Sequence, residues 1–205
     1  MRPNSATSKT RQAFSLIEAM VALSITAMAG AVLLLTTEGV LKTTNDAVAQ
    51  TIAQGMAAQL IDEVLGARYA AATDPYETNL AASSYEKAGV GRERFNDTDD
   101  YNGHAASPPI DPWGIALGHG AGDTNGDGVG ELRHPALRSP GDDFRGWKQK
   151  IEVYYVDPAN PTIRRSNTQP TDYRAVEVTI ERVEPNGAIR PLAKMRRVFC
   201  YVPIP

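Results

Sequence analysis

The chain has 205 residues, a formal net charge of -3, 42% hydrophobic residues and one cysteine, Cys200. A lone cysteine excludes an intrachain disulfide, a CxxC redox pair and a cysteine-based metal cluster. The slight acidic excess gives no basic face for nucleic acid, so no nucleic-acid partner is expected.

Residues 1–13 carry Arg2, Lys9 and Arg11, no acid and no apolar run. They read as a short basic leader rather than a folded element. Residues 14–35 follow as an apolar stretch interrupted by one charge, Glu18. A helix over this stretch is about 33 Å long, enough for a hydrocarbon core of roughly 30 Å. Basic residues precede it and none follows until Lys42. The charge asymmetry puts the amino terminus in the cytoplasm and the remainder outside, a single pass through the inner membrane with lipid around the helix.

No proline occurs between Pro3 and Pro75, and Leu41, Val48, Ile52, Met56, Leu60 and Val64 recur mostly four apart. One helix is therefore predicted from about Phe14 to about Ala72: a membrane half over 14–35, an extracytoplasmic half over 36–72, and a stop at Thr73-Asp74-Pro75. Residues 73–146 are rich in Pro, Gly, Asp and Asn and read as a long irregular region with one or two short strands. Within it Asp111-Pro112-Trp113-Gly114 is a predicted turn with Trp113 as its anchor, and Asn96-Asp97-Thr98-Asp99-Asp100-Tyr101 reads as a solvated acidic loop.

Residues 147–205 show β alternation. Ile151, Val153 and Tyr155 share one face of a first strand, and Val176, Val178 and Ile180 share one face of a second. Pro185-Asn186-Gly187 is a turn signal, and a third strand returns over 188–202 with Pro191 at an edge or bulge. Cys200 is predicted to be a small buried side chain on that strand. The predicted fold class is α+β: a long amino-terminal helix packed on a small antiparallel sheet, with an irregular connection between them.

The order basic leader, small residue, then FSLIEAMVALSI from Phe14 to Ile25 resembles the signal of type IV prepilins and of type II secretion pseudopilins. A secretory signal peptide is cut after its apolar stretch; here the junction precedes it, so the helix is kept as an anchor. The resemblance implies a pilin-like fold and cleavage by a prepilin peptidase between Ala13 and Phe14, with N-methylation of Phe14. Glycine is usual where this chain has Ala13. It also implies that Glu18 pairs with the amino-terminal amine of a neighbouring subunit, with other pilin-like subunits and an inner-membrane assembly platform as partners. A carboxylate inside the bilayer costs about 2.5–3.5 kcal/mol on insertion scales, so its placement calls for a partner or for snorkelling to the interface. The opening is most similar to minor pseudopilins and minor pilins. The competing reading is a membrane-tethered extracytoplasmic binding module that forms no filament.

Asp123, Asn125, Asp127, Gly128, Val129 and Glu131 follow the oxygen-ligand spacing of a calcium loop. The twelfth position, normally an acid, is His134; Asp142 or Asp143 could close the shell. The same residues equally suit a Gly/Asp/Asn turn, so calcium is a tentative cofactor. His104, His119 and His134 match no metalloprotease spacing, and no GxSxG, Walker or dinucleotide motif is present, so no enzymatic activity is expected.

Overall fold

The computed structural model describes residues 15–70, 75–118, 134, 144, 146–184 and 186–202. Two compact units divide the chain at Val48/Ala49. The first contains most of helix α1, Leu16–Gly66. Its apolar side chains from Leu16 to Leu41 are exposed, and it is long and apolar enough to cross a membrane. Uncovered Leu, Ile, Met and Val at this density suit lipid or a packed neighbour rather than water.

The second unit holds the last turns of α1, a short helix α2 (Ser84–Lys87) and strands β1 (Ala105–Ala106), β2 (Trp147–Tyr155), β3 (Tyr173–Val183) and β4 (Ile189–Cys200). The strands form one antiparallel sheet in the order β1-β2-β3-β4. The α+β arrangement is the expected pilin-like one. Alternation sets the faces: Ile151 pairs with Val178 and Val153 with Val176, all four buried against the helix. Each such side chain contributes about 1.5–3 kcal/mol on burial. The opposite face carries Lys150–Glu181 and Lys194–Glu177 ion pairs.

At the edge strand, Ile180 pairs with Ala193 and Glu181 with Pro191, so Leu192 is the extra residue of a bulge. Pro191, lacking an N–H, sits where the ladder is interrupted, as the sequence suggested. Gly187, at φ 81°, closes the β3–β4 turn, with Glu184 N–H donating to Ala188 O at 2.8 Å.

The helix differs from expectation in two ways. Its sheet-facing stripe is Ala49, Ala53, Ala57, Leu60, Ile61 and Val64, with Ile52 and Met56 beside it, whereas Leu41 and Val48 are exposed. Alanines four apart let the helix backbone approach the sheet closely, which a count of large apolar residues does not register. The helix also ends at Gly66 rather than near Ala72. Ala67 N–H turns to Val64 O at 3.2 Å, and the next carbonyls are claimed from elsewhere. Arg68 O accepts from Thr98 N–H at 2.9 Å, and Tyr69 O accepts from Thr98 Oγ1 and from the Arg174 guanidinium. Tertiary donors replace the helical ones, so propensity alone does not carry the helix further.

Candidate functional site

Ser15 sits immediately before α1, and its hydroxyl accepts from Glu18 N–H at 3.3 Å. This is the N-cap geometry, and it places Glu18 in the first turn. Downstream, Ser24, Thr26, Thr36 and Thr37 each donate their hydroxyl to a carbonyl one turn earlier, at 2.8–2.9 Å. These polar groups in the apolar segment are satisfied by their own helix. The Glu18 carboxylate is the exception: no partner for it occurs among the described residues. Helix α2 carries the same Ser-x-x-Glu spacing with both halves of the box closed. There Glu86 N–H donates to Ser83 Oγ at 3.4 Å, and Ser83 N–H donates to Glu86 Oε2 at 2.7 Å. Ala13 and Phe14, the expected cleavage residues, lie outside the described residues.

The calcium-like segment, Asp123, Asn125, Asp127, Gly128, Val129 and Glu131, also lies outside the described residues, with Asp142, Asp143 and His119. His134 is exposed.

The acidic run 96–101 is not solvated, contrary to expectation. Asp97, Asp99 and Asp100 are all buried, with carboxylate oxygens within 4.8 Å of one another. Local backbone donors make this possible: Asp97 Oδ1 accepts from the N–H groups of Asp99 and Asp100, and Asp100 Oδ2 accepts from Asn96 N–H at 2.8 Å. Burial, reinforced by the Asp97 and Glu77 carboxylates, pushes Asp99 up to about 9. Burial likewise raises Asp100 to about 6. Asp99 is therefore protonated at neutral pH, and its 3.5 Å approach to Arg174 Nη1 is a long polar contact rather than an ion pair.

Arg174, on β3, is wholly buried. Its guanidinium donates to Tyr69 O at 2.5 Å, Thr98 Oγ1 at 2.9 Å, Tyr155 OH at 3.1 Å and Pro75 O at 3.3 Å, and lies 4.2 Å from the Tyr69 ring centroid. One side chain thus ties the helix exit, residue 75 and the 97–100 loop to the sheet. Strand alternation alone does not reveal it, because Arg174 stands where an apolar residue is expected.

A second buried polar seam joins α1 to the 90–118 region. Arg92 pairs bidentately with Glu63, Nε–Oε1 at 2.8 Å and Nη2–Oε2 at 2.9 Å, and Tyr101 OH donates to Glu63 Oε1 at 3.3 Å. His104 lies against Arg92 and Gln149, and burial, with the Arg92 charge, lowers it to about 4.

Two more expectations are corrected. Trp113 does not anchor its loop inward; it is 65% exposed. The turn is held instead by Asp111 Oδ1, which accepts from Trp113 N–H at 3.0 Å and Ile115 N–H at 2.9 Å. Cys200 is exposed because it stands on the face of the edge strand opposite Phe199, whose ring packs against the core.

Residues 8–34 match the family model described as the prokaryotic N-terminal methylation motif. No curated protein and no solved structure matches the chain. The match spans the last six residues of the leader, the Ala13-Phe14 junction, Ser15 and Glu18, so the chain carries a type IV pilin-like, prepilin-type amino terminus. Residues 35–205 are read from their own chemistry.

Proposed function

We propose that this protein is a non-enzymatic structural subunit, a minor pseudopilin or minor pilin, of a type II secretion or type IV pilus-type filament. The observation that carries the reading is the Glu18 carboxylate, unpartnered among the described residues in an apolar helix whose hydroxyls bond to their own turns. A charge left in hydrocarbon is strongly unfavourable until it meets an opposite charge. Cleavage between Ala13 and Phe14 creates such a charge, a free amine four residues before Glu18 on each copy. Pairing between subunits would set the axial register of each arrival and would use the amine only after processing. The exposed apolar side chains of Leu16–Leu41 support the same reading, since lipid before assembly and neighbouring helices after it both accept them. The partners are then sibling pilin-like subunits, the prepilin peptidase and an inner-membrane assembly platform. The domain after the helix lies on the extracytoplasmic side.

Two measurements test this. Mass analysis of the amino terminus from native membranes is expected to find a chain beginning at Phe14 with one added methyl. Glu18→Gln is expected to leave the protein membrane-inserted but to reduce its recovery in filament preparations by tenfold or more. An intact Met1 start in cells with active prepilin peptidase, or normal recovery of the Gln variant, overturns the proposal in favour of a tethered binding module.

A further inference from the structure

We propose that His104 is the release element of an acid-sensitive latch that holds the 90–116 segment against the last turns of α1 and strand β2. The geometry carries it. His104 Nε2 lies 3.4 Å from Arg92 Nη1 and 3.4 Å from Gln149 Nε2. A guanidinium can only donate. The Gln149 amide nitrogen also reaches the Ile110 carbonyl at 3.3 Å, and a carbonyl can only accept, so the amide too presents N–H groups here. Nε2 is therefore an acceptor, its single lone pair shared between two long N–H contacts, which requires a neutral ring with its proton on Nδ1.

The ring has nowhere to place a second proton. The charged and titratable groups facing it are Arg92 from the 90–116 segment itself and Glu63 from α1. Tyr101 faces Glu63 rather than the ring, Phe95 contributes only its ring edge, and β2 contributes the uncharged Gln149. Both Glu63 oxygens are already engaged, Oε1 by Arg92 Nε and Tyr101 OH, Oε2 by Arg92 Nη2. Protonation at Nε2 would break two acceptor contacts and set a second cation beside a buried guanidinium. Release of the segment relieves this, because the exposed imidazole is free to charge.

The imidazole sits in a seam held at several points: Arg92 and Tyr101 bond Glu63 of α1, Gly103 N–H donates to Ile151 O at 3.0 Å, and Val153 N–H donates to Asn102 Oδ1 at 3.0 Å. Arg92 Nη1 also donates to Ile110 O at 3.3 Å, and Arg92 N–H donates to Pro112 O at 2.8 Å. His104 O accepts from Ile151 N–H at 2.9 Å. Helix, segment and strand meet at one imidazole.

The sign follows from linkage. His104 is held at about 4 in the fold, below its ordinary value of 6.5. The open form therefore binds more protons between these limits. Holding is complete above pH 6.5 and is lost as pH falls towards 4. Asp99 and Asp100 in the same segment are raised to about 9 and about 6, so their protonation favours the closed fold and works in the opposite direction; the His104 share is the difference between the wild type and a variant whose ring position cannot charge.

Amide hydrogen exchange on the full-length membrane-embedded protein, corrected for intrinsic rates, tests the latch. From pH 7.5 to 5.0, protection over residues 92–116 in the wild type is expected to fall roughly 10–30-fold relative to His104→Gln, each referred to residues 57–64 of α1. The variant accepts through its amide oxygen and cannot charge, so it carries the Asp99 and Asp100 contributions alone. Equal pH profiles in the two proteins overturn the proposal. If the variant does not fold, an NMR titration of the His104 ring in the wild type decides: a midpoint near 4 supports the latch, and an ordinary midpoint near 6.5 rejects it.

Discussion

The backbone N–H of Glu18 donates to the Ser15 hydroxyl at 3.3 Å, and no described group returns a hydrogen bond to the Glu18 carboxylate. At Ser83 and Glu86 the same spacing closes in both directions. The chain thus uses one local motif twice. In α2 the glutamate is spent on its own cap. In α1 the serine alone starts the helix, and the carboxylate stays available to another chain.

Ser15→Ala is expected to destabilise the first turn of α1 by about 1 kcal/mol, the usual worth of an N-cap. Amide exchange of residues 16–18 in the membrane-embedded protein should quicken several-fold, and Ser15→Thr should restore it. Unchanged exchange in the alanine variant would show that the lipid environment, not the hydroxyl, sets the helix start.

Arg174→Met should destabilise the second unit by about 3 kcal/mol or more. It removes the guanidinium donors from the Tyr69 and Pro75 carbonyls, which keep only Thr98 Oγ1 and Tyr155 OH, and from Thr98 Oγ1 and Tyr155 OH themselves, so a wholly buried network loses four hydrogen bonds. Arg174→Lys should recover little, because a single ammonium cannot span those directions. Denaturant titration of the purified protein reads both values.

Asp99→Asn should raise stability at neutral pH by roughly 1–3 kcal/mol. The carboxyl is pushed up to about 9 by burial and by its acidic neighbours, so the folded form holds a proton that the unfolded chain releases near 4. Its favourable contribution is full below the unfolded value and is lost as pH rises through the folded one. The variant should therefore gain most near pH 8 and least near pH 4, as a melting series over that range would record.

Gly91→Ala should cost more than an ordinary loop substitution, about 2–4 kcal/mol. Gly91 has φ 64°, and an added Cβ would lie 2.3 Å from Gly114 N, itself backbone. Gly103→Ala, at φ 80° but with nothing near its Cβ, separates the two causes: it should bear the conformational part alone.

The amino-terminal signal was legible along the chain. The position of a basic leader before an apolar run and a lone glutamate at its start are local features, and local features survive without tertiary context, whereas the Ser15 cap came only from the structure. The β2, β3 and β4 alternation was legible for the same reason: a strand with one covered face repeats every two residues, and the Pro191 bulge announced itself through a missing N–H.

What only the tertiary structure decided are the places where long-range partners overrule composition. Three aspartates within four residues look solvated, yet backbone amides pair Asp97 and Asp100, and Asp99 is held protonated. Arg174 stands on the apolar face of its strand, and it is buried there because the Tyr69 and Pro75 carbonyls collect around it. Gly66 ends the helix because Thr98 and Arg174 supply partners to the residues beyond it. Small residues, Ala49, Ala53 and Ala57, face the sheet because close approach rewards the absence of a side chain. Periodicity reports which residues repel water. It does not report which polar groups will find each other, because that depends on distances between segments far apart in the chain.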